Sequence, residues 1–157
     1  MKSRPDLTEY AEVVAKLGFP VVSVQQEACN TLWCMIGEDT RRAALAAEAE
    51  AVAALVLLLD VQRDGLGVLS SHNKVPSLFL AAVNTLIALA QDDTIARPKM
   101  VRAKASKIAQ TNLSLFDGTP EGLEDAVQQL VAAEAGDLPI RTGNTLLVQA
   151  TCVEANP

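Results

Sequence analysis

The chain has 157 residues, enough for one domain with a proper core or for about three stacked helical repeats. Half of the residues are apolar but only 3% are aromatic, and a core of Ala, Leu and Val suits closely packed helices better than a β-sandwich. A formal charge of −6 argues against a general nucleic-acid binder, which needs an excess of Lys and Arg to meet phosphates.

The first segment, Met1 to Asp6, carries no apolar stretch of the secretory type. Leu7, Tyr10, Val13, Val14 and Leu17 then follow the i, i+3, i+4, i+7 spacing of a helix with one buried face. A second such helix contains Asn30-Thr31-Leu32, and that triplet returns as Asn84-Thr85-Leu86 and Asn144-Thr145-Leu146. With the three Asn residues as register marks, Val24, Leu78 and Leu138 align six positions before, and Leu32, Leu86 and Leu146 two positions after. Ile36, Ala90 and Ala150 align six after, so each copy traces one stripe of a helix. Recurrence at this spacing predicts stacked helical units.

Asp39-Thr40 opens a short helix over Thr40 to Ala49 with a capping-type residue. Glu48-Ala49-Glu50 lacks a helix breaker, which predicts a continuous path into the next apolar face, Val52, Leu55, Val56 and Leu59. The longest strongly apolar run here, Ala51 to Leu59, falls far short of the roughly 20 residues that span a bilayer. Arg63 to Val75 holds Gly65, Gly67, Ser70, Ser71 and Asn73 and reads as an inserted loop. After the second Asn-Thr-Leu helix, Thr94 to Phe116 reads as one long helix, again preceded by Asp92-Asp93. Leu123, Ala126, Val127, Leu130 and Val131 form the next amphipathic face, ahead of the Asn144 segment.

Val24 to Asp60 resembles an armadillo repeat: Glu27-Ala28-Cys29 and Leu32 stand as a third helix, and Glu38-Asp39 as the polar break. Arg41 to Ala47 stands as a short first helix and Val52 to Leu59 as a second. The likeness is good over that stretch, fair over Pro76 to Thr94 and weak after Arg97. It implies an all-α, right-handed α-solenoid of about three armadillo-like units, 7–49, 51–116 and 121–157, in one domain. In the family the third helices line a groove that receives extended peptides. Members that clamp nuclear signals place a Trp and, four residues on, an Asn there. This chain has Asn30, Asn84 and Asn144 at the first position and Cys34, Ala88 and Val148 at the second, so its ladder is one of Asn.

Asn30, Asn84 and Asn144 can offer a row of amides to an extended backbone, or each can bond within its own unit and fix packing. Trp33, the only Trp, is either a groove hot spot or core. Arg97, Lys99, Arg102, Lys104 and Lys107 are five of the thirteen basic residues, and no acid lies between Thr94 and Phe116. They form either a strip for an acidic partner or a flank whose aliphatic stems cover apolar surface. His72 is the only histidine and lies in the inserted loop without nearby Cys or acidic ligands. Cys29 and Cys34 lie about 140° apart on a helix and cannot share a metal. With Cys152 they read as free thiols in a reducing, cytoplasmic-type compartment.

No metal, cofactor or catalytic motif stands out. The sequence therefore predicts a non-catalytic scaffold that binds a protein or peptide segment along its third-helix groove. The alternative is a structural subunit of a larger assembly, docked through its solenoid ends and the 63–75 loop, one end packing on another protein.

Overall fold

A computed structural model describes residues 7–19, 21–59, 76–114 and 122–136, and these form eight α-helices and no strand. Asn144, His72, Cys152 and the 63–75 loop lie outside the described residues. Helix α1 (Leu7–Leu17) runs antiparallel to α2 (Val22–Ile36). At one end of the pair Gln25 Nε2 donates to the Leu17 carbonyl, 2.9 Å; at the other the Tyr10 hydroxyl donates to the Met35 carbonyl, 3.2 Å. Helix α2 stops at Gly37, whose φ of 55° lies in the left-handed region that glycine adopts without steric cost.

Asp39 then caps α3 (Thr40–Glu48), its carboxylate accepting the Arg41 N–H at 2.9 Å. The expected continuous path through Glu48-Ala49-Glu50 is not what the chain does. It turns at Ala49-Glu50, with Glu50 at φ 72°, and restarts as α4 (Ala51–Leu59). A straight helix from Thr40 to Leu59 would be about 30 Å long, longer than α5 (Pro76–Leu89), on which both short helices pack. Lys99 holds the turn from outside by donating to the Ala47 carbonyl, 3.0 Å, and to the Glu50 carboxylate, 3.3 Å.

Helix α5 is apolar almost all round, with Leu78, Phe79, Ala82, Val83, Leu86 and Leu89 buried. Such a helix belongs inside, and α5 packs against α2, α3, α4 and α8 (Leu123–Ala135).

The long helix expected over Thr94 to Phe116 is instead two, α6 (Ala96–Ala103) and α7 (Ala105–Leu113), broken at Lys104, which has φ 59° and ψ 43°. Phase explains the break. Ala96 and Met100 are the buried side of α6, while Ala105, Ala109 and Asn112 are that of α7. Met100 and Ala105 would stand about 140° apart on an uninterrupted helix, so one rod cannot bury both sets. The left-handed residue turns the second stripe back to the core. Val101 is left 56% exposed. No helix among the described residues is long and apolar enough to cross a membrane.

Candidate functional site

Three hydrogen bonds tie α5 to α2, at the beginning, middle and end of the pair. Ser77 Oγ donates to Gln26 Oε1 (3.3 Å), Thr85 Oγ1 to the Cys29 carbonyl (3.3 Å) and Gln91 Nε2 to the Gly37 carbonyl (3.1 Å). The partners are 51, 56 and 54 positions apart. Bonds at nearly constant offset along both helices mean that α2 and α5 run in the same direction. Their mean register is the spacing of Asn30 and Asn84, so the two Asn-Thr-Leu copies lie side by side.

The register also fixes which residues share a face. Leu32 and Leu86 are fully buried, as are Ala28 and Ala82. On the other side Asn30 and Asn84 are both half-buried, and neither side chain makes a hydrogen bond or ion pair. An amide has two donors and two acceptor lone pairs. Both Asn side chains therefore keep their full hydrogen-bonding capacity at the surface. Two turns earlier in phase, Ser23 and Ser77 are exposed at the same offset, a pair the Asn-centred alignment passes over although the same spacing relates them. Polar Ser and Asn thus repeat along one face of two adjacent parallel helices.

Trp33, one turn on from Asn30, is nevertheless turned into the core. Only 8% exposed, it stands in the core with Leu32 and Ile36 and offers a partner almost no surface. Cys34, at the edge of the Asn face, is disulfide-bonded, which corrects the expectation of three free thiols; its partner lies outside the described residues. Cys29 is free and buried, and burial raises its thiol pKa to about 12.

The basic residues separate into two groups. Arg97 Nε donates to the Ala90 carbonyl at the end of α5, 2.6 Å, and its guanidinium lies where a Cβ on Gly136 would come within 2.9 Å of Nη1. A cation between two helix C-termini satisfies carbonyls and opposes their dipoles. Lys99 is occupied at the α3–α4 turn. Arg102, Lys104 and Lys107 are exposed, and their side chains make no hydrogen bond or ion pair.

Other buried polar groups serve the frame. Asp92, at 2% exposure, accepts from the backbone N–H groups of Thr94, Ile95 and Ala96 and from the Thr94 hydroxyl. Burial pushes its carboxyl pKa up, but these bonds outweigh it and hold the group below the usual carboxylate range. Glu134 receives both the N–H and the hydroxyl of Ser106 at the start of α7, each at 3.1 Å. Among the described residues no group of three His, Cys, Asp or Glu could hold a metal ion. The chain matches no protein-family model, no curated protein and no solved structure.

Proposed function

We propose that this protein is a non-catalytic interaction module of the armadillo-like solenoid type, receiving an extended protein segment across the face shared by α2 and α5. One observation carries the reading: Asn30 and Asn84 lie in register on adjacent parallel helices, half-exposed, with every hydrogen-bonding position open. An extended chain laid across parallel helices presents N–H and C=O groups at regular intervals. A side-chain amide can donate to one and accept from the other, so a row of Asn reads backbone rather than sequence. The free cations Arg102, Lys104 and Lys107 would favour an acidic segment that reaches α6 and α7.

A displayed library of unstructured peptides, selected on the intact protein, tests this reading. Selected peptides should lose about 5- to 100-fold in affinity for Asn30→Ala/Asn84→Ala, the range expected when two hydrogen-bonding amides are removed. Equal binding by both proteins would move binding off this face.

A second reading, a structural subunit held by its edge, draws on Phe19 and Val21, which are 52% and 47% exposed at the α1–α2 turn. Large apolar residues together at a turn suit a protein contact. Under that reading Phe19→Ser would abolish assembly with a partner while the Asn variants leave it intact.

A further inference from the structure

Cys34 is disulfide-bonded, whereas Cys29 is a free, buried thiol. The chain has three cysteines, so elimination leaves Cys152 as the partner of Cys34. Cys34 stands four positions after Asn30, on the same side of α2 and about 6 Å further along its axis. A disulfide holds its two Cα atoms about 4.4–6.8 Å apart. The bond therefore ties the C-terminal segment to α2 roughly one turn beyond Asn30.

The helix ends make this connection easy. Arg97 Nε donates to the Ala90 carbonyl, and the same guanidinium lies against Gly136 at the end of α8. Gln91 Nε2 donates to the Gly37 carbonyl and sets the end of α5 beside that of α2. Helix α8 thus finishes at the same end of the α2–α5 pair as Cys34, three positions before Gly37. Neighbouring helix axes lie about 8–10 Å apart, so the way from α8 past α5 to α2 is on the order of 20 Å. The chain from Gly136 to Cys152 can span about 50 Å, which leaves slack for the segment to pass along the face. The chemistry agrees as well. Residues 142–152 carry no charge, and neither do Ser23, Asn30, Ser77 and Asn84, so their approach desolvates no ion.

We propose that the Asn face of α2 and α5 is guarded by this chain's own C-terminal segment, 137–152, held there by a Cys34–Cys152 disulfide and released when that bond is reduced. The inference rests on the peptide-binding reading and adds its regulation. A tethered segment stays beside the face at an effective concentration of about millimolar, and an external peptide must displace it. Asn30 and Asn84 make no side-chain hydrogen bond, so the covalent bond is what retains the segment, and opening it suffices for release. A dithiol reductant supplies two electrons and two protons. The S–S bond breaks, Cys34 and Cys152 become thiols, and the dithiol closes to its own disulfide.

The bond is tested by peptide mapping of the full chain, purified without reductant. One cross-linked fragment should join Cys34 to Cys152 within a single chain. The cover is tested by NMR of the Asn30 and Asn84 side-chain amides. Both signals should shift when dithiothreitol is added, and Cys152→Ser should give the reduced spectrum without it. Peptides selected on Cys152→Ser should bind oxidised wild type about three- to tenfold more weakly, and dithiothreitol should remove the difference. If Cys152→Ser does not fold, wild type with and without dithiothreitol carries the same comparison. Free alkylation of both Cys34 and Cys152 in the unreduced chain, a bond between two chains, or Asn amide signals indifferent to reduction would each overturn the proposal. Failure of any peptide to bind either form would instead sink the peptide-binding reading, with the mapping and the amide signals still deciding the clasp.

Discussion

Cys29 and Cys34 stand five positions apart on α2 and meet opposite environments: one thiol buried, the other sulfur half-exposed and disulfide-bonded. With its pKa raised to about 12 by burial, Cys29 holds roughly one thiolate in ten thousand at pH 8, and the thiolate is the reactive form. In reduced, native protein, alkylation followed by mass spectrometry should therefore label Cys34 readily and Cys29 only after denaturant is added. Trp33 and Asn30 make a similar contrast. Trp33→Ala should cost about 3–5 kcal/mol in denaturant unfolding, the usual result of emptying a large aromatic site in a core. Asn30→Ala touches a half-exposed amide with no partner and should change stability by no more than about 0.5 kcal/mol. A stability loss at Asn30 comparable to that at Trp33 would mean the amide is part of the packing.

Helix ends determine how the short elements hold. Asp92 supplies acceptors for the first N–H groups of α6, a role that ordinarily contributes about 0.5–2 kcal/mol. Its folded pKa lies below the ordinary value, so its contribution is present above the unfolded carboxyl pKa of about 3.9 and is lost as pH falls through the lower folded value. Stability measured from pH 6 downwards should fall less steeply in Asp92→Asn than in the wild type, while being lower at neutral pH. Lys104 shows the reverse situation. A residue with a Cβ sits in the left-handed region there, and its side chain has no partner. Lys104→Gly should therefore raise stability by up to about 1 kcal/mol, whereas a straight α6–α7 rod in solution would make the same substitution destabilising by a similar amount.

The whole molecule is organised around α5, which packs against α2, α3, α4 and α8. Phe79 is its largest fully buried side chain. Phe79→Ala should cost about 3–5 kcal/mol, a large part of the roughly 5–15 kcal/mol that holds a domain. Because α5 links α2 to α8, unfolding should be cooperative. Fluorescence of Trp33 in α2 and far-ultraviolet circular dichroism should then share one midpoint, and Leu130→Ala in α8 should lower both together. Separate midpoints would indicate units that melt independently.

The helical nature of the chain and most of its buried faces are legible in the sequence, because a 3.6-residue apolar period is a local property. Leu32, Leu86, Leu123, Ala126, Val127 and Leu130 are all buried where that period puts them. The Asn30–Asn84 pairing was legible too, since equal spacing of an exposed polar residue against a buried stripe survives translation from one helix to the next. The breaks at Glu50 and Lys104 were not. Neither residue favours a left-handed backbone: Lys99 on α6, distant in sequence, holds the α3–α4 turn, and the out-of-phase faces of α6 and α7 reach the core only through a break at Lys104. Tertiary packing likewise divided the basic segment, drawing Arg97 and Lys99 into the frame and leaving Arg102, Lys104 and Lys107 at the surface. It also left Gln25 Oε1 buried without a hydrogen-bond partner. The sequence alone determined which residues are apolar and how often they recur; the packing of α2, α3, α4 and α8 around α5 decided which polar groups found partners, because hydrogen-bond partners are set by three-dimensional proximity rather than by local period.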